Sequence, residues 1–271
     1  MTAAPGVQPP RDAGTQKRAA FSPARLAGMA VVPAILIAIW YLLVAIFGSF
    51  AIATPHAAVG SIITGFREEW LGPALYITLS TTLKGFVIAS FLGLAIATVM
   101  GLSPFWGAVL ESPLVWLYSI PKVTLYPVFL LVLGLTTESR VAFAVAHGFI
   151  PLTLFAYSGM QSVTPVHRRV QRVYRLRWWS AMRRIYAPAA FPSIIVGLRY
   201  CFSLCMVGAV VAEMFAAYKG TGYLMIQAMQ LHKIPLLFGL TTVLVVFALA
   251  VNALFVAWEH HVLRRRGVTD G

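Results

Sequence analysis

Acids are scarce in this chain: eight Asp and Glu stand against twenty-one Lys and Arg, and only 11% of the 271 residues are charged. A catalyst embedded in a membrane needs a clustered acid, base or metal set, and acids this few and this scattered supply none. There are two cysteines, Cys201 and Cys205. Four residues apart in an apolar run, they share a helix face and cannot form the long-range staple of a secreted domain. They read as small buried residues instead. No G-x-x-x-x-G-K-[ST] phosphate loop is present, so any nucleotide is bound by another polypeptide. Inverted hydropathy repeats, a mark of many secondary transporters, are not evident either.

What the chain has is apolar length. With 59% hydrophobic residues and a mean hydropathy of +0.81, it is an integral membrane protein of all-α class. A formal charge of +13 is also common in nucleic-acid binders, but basic residues in membrane proteins gather in inner loops and meet anionic lipid there. No nucleic-acid partner is expected. The basic residues concentrate between His167 and Pro192, where Arg168, Arg169, Arg172, Arg175, Arg177, Arg183 and Arg184 occur without an acid. The positive-inside rule places this loop in the cytoplasm. It places both ends there too, since Arg11, Lys17, Arg18 and Arg25 precede the first apolar run and Arg264, Arg265 and Arg266 follow the last.

Run length predicts six spans, at about 26–47, 75–102, 106–135, 141–158, 187–215 and 236–258, each long enough for a hydrocarbon core of about 30 Å. Residues 1–25, rich in Pro and Gly, read as a disordered cytoplasmic tail, and 261–271 as a basic cytoplasmic tail. Ala51-Ile52-Ala53 resembles a signal-peptidase site, but the preceding run exceeds the usual apolar length of about 7 to 15 residues, so the first span is retained. Between Thr54 and Pro73, Phe66, Trp70 and the Arg67-Glu68-Glu69 cluster suggest a short surface helix. In the second span Ala89, Gly93, Ala97 and Gly101 make a flat stripe for close helix approach. Pro113, Pro121 and Pro127 kink or break the third. Non-helical backbone at that depth needs protein or a water-filled cavity around it, which puts Ile120-Pro121-Lys122 in the interior or near a pathway.

Within the basic loop, 160–186, Val166, Val170, Val173 and Tyr174 repeat at helical spacing, and so do Trp178, Met182, Ile185 and Tyr186. Two short amphipathic helices follow. They serve either a cytoplasmic partner or the lipid headgroups. Charges inside spans are the remaining functional candidates, because an ionisable group in hydrocarbon is costly. Lys84, Lys122, Glu111, Arg199 and Glu213 qualify. Lys84 and Arg199 would hold a pathway positive for an anionic solute; the alternative is pairing with an acid on another helix or with carbonyls freed by proline. His147 reads as a hydrogen-bonded interior histidine, and His260-His261 as an interfacial helix end.

These features resemble the six-helix permease subunits of bacterial ATP-binding-cassette importers, in particular the nitrate, sulfonate and taurine branch. Members carry a loop motif of Glu-Ala-Ala, three residues, Gly, nine residues, then Ile-x-Leu-Pro. Ile185-Tyr186-Ala187-Pro188 is similar to its end, while Arg169 falls at the glutamate, Val170 and Gln171 at the alanines and Arg175 at the glycine. Trp179, Pro192, Gly197-Leu198-Arg199, Ala212-Glu213-Met214 and Gly220-Thr221-Gly222-Tyr223-Leu224 follow the branch's pattern in order, as do Lys84-Gly85-Phe86, Ile120-Pro121-Lys122, Pro127 and Gly134 upstream. The resemblance covers about residues 30–260.

It implies a type I importer bundle in the bacterial inner membrane, working by alternating access on a small anionic solute such as a sulfonate, taurine or nitrate. The implied partners are a cytoplasmic ATPase dimer, a second permease subunit (the same or a sister chain) and a periplasmic or lipid-anchored solute-binding protein. ATP and Mg would sit on the ATPase and no cofactor on this chain. Coupling would fall to Arg168, Arg169, Arg172, Tyr174, Arg175, Trp178, Trp179, Ile185 and Pro188, and the pathway to Lys84, Lys122, Arg199 and Glu213. Arginine for glutamate reverses a charge, implying an acidic receiving groove or a main coupling contact made by the second permease. The rival class is a secondary transporter or channel independent of an ATPase.

Overall fold

The computed structural model describes residues 23–163, 173, 174 and 177–265, and among them every regular element is helical. Arg168, Arg169, Arg172 and Arg175, most of the expected first loop helix, the tail before residue 23 and the basic stretch from 266 lie outside the described residues. In order come α1 (Pro23–Phe47), α2 (Pro55–Arg67), α3 (Leu71–Leu102), α4 (Pro104–Ser119), α5 (Tyr126–Leu133), α6 (Thr137–Gln161), α7 (Trp178–Ala181), α8 (Ala187–Ala216), α9 (Thr221–Gln230) and α10 (Ile234–Arg265). A 3₁₀ turn, Lys122–Leu125, leads into α5, and a π turn, Met182–Tyr186, joins α7 to α8.

Four runs are long and apolar enough to cross a membrane: α3, α6, Trp179–Ala216 and Ile234–His261. The pair α4 and α5, bent by 88°, makes a fifth if counted as one span, and α1 adds the shorter apolar stretch Val31–Phe47.

The side chains are distributed as lipid would have them. Ala89, Ala144, Leu152, Cys201, Cys205 and Ala209 form a buried cluster of mostly small residues, while Tyr76, Phe91, Trp116 and Leu131 stand exposed. In water such a surface would drive aggregation. Lipid tails are as apolar as Leu, so close packing of small residues must hold the helices together. The expected stripe does this: Gly85, Gly93 and Gly101 of α3 face Ala144, Leu152 and Met160 of α6, so the two helices run parallel. Gly148 of α6 sits on Cys201 and Cys205, and Gly159 on Ala190 and Ser193, so α8 runs antiparallel to both. A Cβ at Gly148 would lie 2.9 Å from the Cys201 carbonyl oxygen and run into the Cys205 thiol. Gly148→Leu is therefore expected to lose about 1–3 kcal/mol by overpacking, read as a lower unfolding temperature in detergent.

The third predicted span breaks at one of its three prolines. Pro113 lies inside α4 without ending it, and Pro127 occupies the first turn of α5, where its missing N–H is harmless. Ile120, preceding Pro121, is extended with ψ 133°, as steric clash with the proline ring requires. Of the two expected settings, interior or near a pathway, the interior one is corrected: within this chain Ile120 and Pro121 are exposed, because no other described element covers the bend.

The loop and the fifth span also differ from expectation. Instead of a separate second loop helix, α7, the π turn and α8 form one continuous run. Pro188 cannot donate to the carbonyl of Arg184 and its ring crowds that carbonyl. A π turn absorbs the mismatch without ending the helix.

Candidate functional site

At one end of the bundle the basic segment is fused to the core through its apolar side. Ala181, Met182, Tyr186 and Ala190 pack with Met160 at the end of α6 and Val163 just beyond it, and Leu102, Ile185 and Ala187 close around them. The other side is cationic. Arg177, Arg183 and Arg184 are exposed, and with Ser180 and Trp179, itself 63% exposed, they line an open hollow of about 650 Å³. No Asp or Glu occurs between Glu138 and Glu213, and among the described residues no ion pair reaches these three arginines. Of the other predicted coupling residues, Tyr174 and Pro188 are exposed and Ile185 is half-buried; Trp178 opens α7, its side chain lying outside the described residues. A second hollow, about 520 Å³, lies behind the π turn between α3, α4 and α6, with Glu111 and Tyr186 on its wall.

At the far end Glu213 is fully buried. Its Oε2 accepts from Thr78 Oγ1 of α3 at 2.7 Å and from the Gly222 N–H at 3.0 Å. Thr78 Oγ1 in turn accepts the Thr221 N–H at 2.9 Å. With its own proton on Glu213, it must also accept from the Thr221 hydroxyl at 2.7 Å. A carboxylate thus sits on the N-terminus of α9, where unpaired N–H groups and the helix dipole favour negative charge. Gly220 permits the approach: its φ is +110°, and a Cβ there would collide with the carboxylate. Glu213 Oε1 is buried without a hydrogen-bond partner, as are Tyr126 Oη and Arg140 Nη1. These three side chains lie within electrostatic range of one another.

The remaining candidate charges occupy separate settings. Arg199 Nη1 is 4.0 Å from Glu259 Oε2 on α10, with about a quarter of each side chain exposed. Lys122 Nζ donates to the Tyr118 carbonyl at 3.1 Å and lies 4.7 Å from the Tyr118 ring centre, capping the freed end of α4. Lys84 is exposed on α3. His147 is buried with Nδ1 3.0 Å from the Phe143 carbonyl oxygen. The structure does not gather Lys84, Lys122, Arg199 and Glu213 into one site.

Sequence reasoning missed Thr78, Arg140 and Glu259, and named Thr221 only as part of a motif, without a role. One signal was available: Thr78, Thr81 and Thr82, all buried, share one face of an apolar helix, which marks a polar contact.

The family described as binding-protein-dependent transport system inner membrane component matches residues 85–268. The chain is 25% identical over 247 residues to the putative aliphatic sulfonates transport permease protein of Bacillus subtilis (strain 168), covering 89% of this chain and 88% of that one. It is 25% identical over 199 residues to the nitrate import permease protein of Synechococcus elongatus, covering 70% and 71%. Against the formylaminopyrimidine transport permease protein of Halalkalibacterium halodurans the identity is 29% over 177 residues, covering 64% and 71%. Among solved structures, an amino acid ABC transporter with histidines shares the fold, with a TM-score of 0.56, 18% identity, and coverage of 75% of this chain and 97% of that one.

Proposed function

The chain belongs to the family of inner membrane components of binding-protein-dependent transport systems, and on that premise we propose that it forms half of the solute pathway of an ATP-driven importer with six crossings and both termini in the cytoplasm. The family is one of transport permeases rather than enzymes; ATP hydrolysis belongs to a separate subunit, and a substrate-binding protein delivers the solute. The observation that carries the reading is the basic segment. Its exposed Arg183 and Arg184 lie in the π turn, within the 38-residue run Trp179–Ala216, so a push on them reaches the far end along continuous helix.

The proposed coupling contact uses Tyr174, Trp179, Ile185, Pro188 and the arginines around them, with ATP and Mg held by a dimer of ATPase subunits. The exposed bend at Ile120-Pro121 supports a second permease copy or sister chain, since irregular backbone at membrane depth needs cover. Lys84, exposed on α3, is the proposed pathway charge, and it favours a small anion such as a sulfonate, taurine or nitrate. Arg199, Lys122 and Glu213 support the pathway from within the wall, through the pairings described above.

Uptake of labelled taurine, an alkanesulfonate or nitrate into vesicles holding the permease, its co-purified ATPase and the binding protein is the test. Uptake is expected only with hydrolysable ATP. Accumulation driven by an ion gradient without the ATPase would overturn the reading.

A further inference from the structure

We propose that the ATPase surface receiving the basic segment is acidic, a patch of carboxylates opposed to Arg177, Arg183 and Arg184 around an apolar seat for Trp179. This deepens the coupling reading and rests on it.

The segment has two faces, and one is already occupied. Ala181, Met182 and Tyr186 lie against Met160, Val163 and Leu102, so the apolar side holds the segment to its own bundle. What remains for a partner is the hollow of about 650 Å³ walled by three guanidinium groups, Ser180 and Trp179. The chain supplies no acid anywhere between Glu138 and Glu213 to neutralise it. A protein seated there strips water from the arginines, and a desolvated charge without a partner opposes binding strongly. The planar guanidinium fork matches a carboxylate with two parallel hydrogen bonds. An aromatic ring beside arginines is the usual composition of an interface anchor.

Length separates a soluble partner from a lipid surface. The run Trp179–Ala216 has 38 residues, about 57 Å at 1.5 Å per residue, against about 40–45 Å for a bilayer with its headgroups. A run longer than the bilayer favours a soluble protein over a lipid surface as the partner of its basic end.

The test uses the full chain with its ATPase in detergent and in nanodiscs. In Arg177→Glu/Arg183→Glu/Arg184→Glu, where the altered side chains are exposed and unfolding of the permease should not change, retention of the ATPase on the immobilised permease should fall at least about tenfold. Exchange of facing Asp or Glu residues of the ATPase for Lys should restore it, and raising salt should weaken the wild-type complex. Undiminished ATPase retention by the reversed variant would overturn the proposal. So would a reversal that alters only binding to vesicles containing phosphatidylglycerol, which would make the basic face a lipid contact. Failure of the wild-type permease to retain the ATPase at any salt would instead sink the coupling reading itself.

Discussion

Glu213→Leu is expected to cost about 3–5 kcal/mol of stability, the range for removing one partner of a buried charged network, whereas Glu213→Gln should cost less. Leucine withdraws the acceptor shared by Thr78 Oγ1 and the Gly222 N–H, in a site where Thr78 and Thr221 are themselves fully buried. The Gly222 N–H is then left without water or protein, a loss of about 1–3 kcal/mol, and Thr78 Oγ1 keeps only its longer 3.2 Å bond to the Ala74 carbonyl. Glutamine keeps an oxygen for both and changes only the atom at the unpartnered Oε1 position. Thermal unfolding in detergent gives the magnitude. Amide exchange gives the location, with protection at the start of α9 lost in the leucine variant. Equal stability of the two variants would mean that the carboxylate does not hold α3, α8 and α9 together.

Tyr186→Ala is the second large effect, and it falls on transport more than on assembly. Tyr186 is buried where the π turn meets the ends of α3 and α6. Truncating a large buried aromatic opens a cavity costing about 3–5 kcal/mol. The arginines and Trp179 on the opposite side are untouched, so the ATPase should still bind. On the proposed coupling the seam that would transmit its motion is loosened, and ATP-dependent uptake should fall at least about tenfold, the equivalent of about 1.4 kcal/mol of lost coupling. A variant that loses ATPase binding and uptake in parallel would show that Tyr186 belongs to the docking surface rather than to the joint behind it.

These two sites differ in how far the chain announced them. The stripe Ala89, Gly93, Ala97 and Gly101 was readable because its four-residue period is local, and the bend at Pro121 because proline chemistry is local as well. The Glu213 network joins positions 135 and 143 residues apart, and no periodicity connects Thr78 to Thr221. Glu213 was recognisable only as a charge in an apolar run. Its seat on α9 depends on a short helix whose start, Gly220-Thr221-Gly222, looks like a turn. The Arg199–Glu259 pair was foreseeable as pairing but not as a partner, since α10 carries its acid near the end opposite its approach to α2. The fusion of α7 to α8 escaped notice because Pro188 reads as a helix start, and only the π turn shows how the helix runs through it.

The central claim is that the arginine-rich segment lies in the cytosol and is held there by a separate ATPase. Cys201 and Cys205 are buried, so a single exposed thiol introduced as Arg177→Cys gives a clean signal with a membrane-impermeant maleimide. Labelling is expected in inside-out vesicles only, and bound ATPase should protect the thiol. Labelling in right-side-out vesicles, or labelling indifferent to the ATPase, would contradict the account.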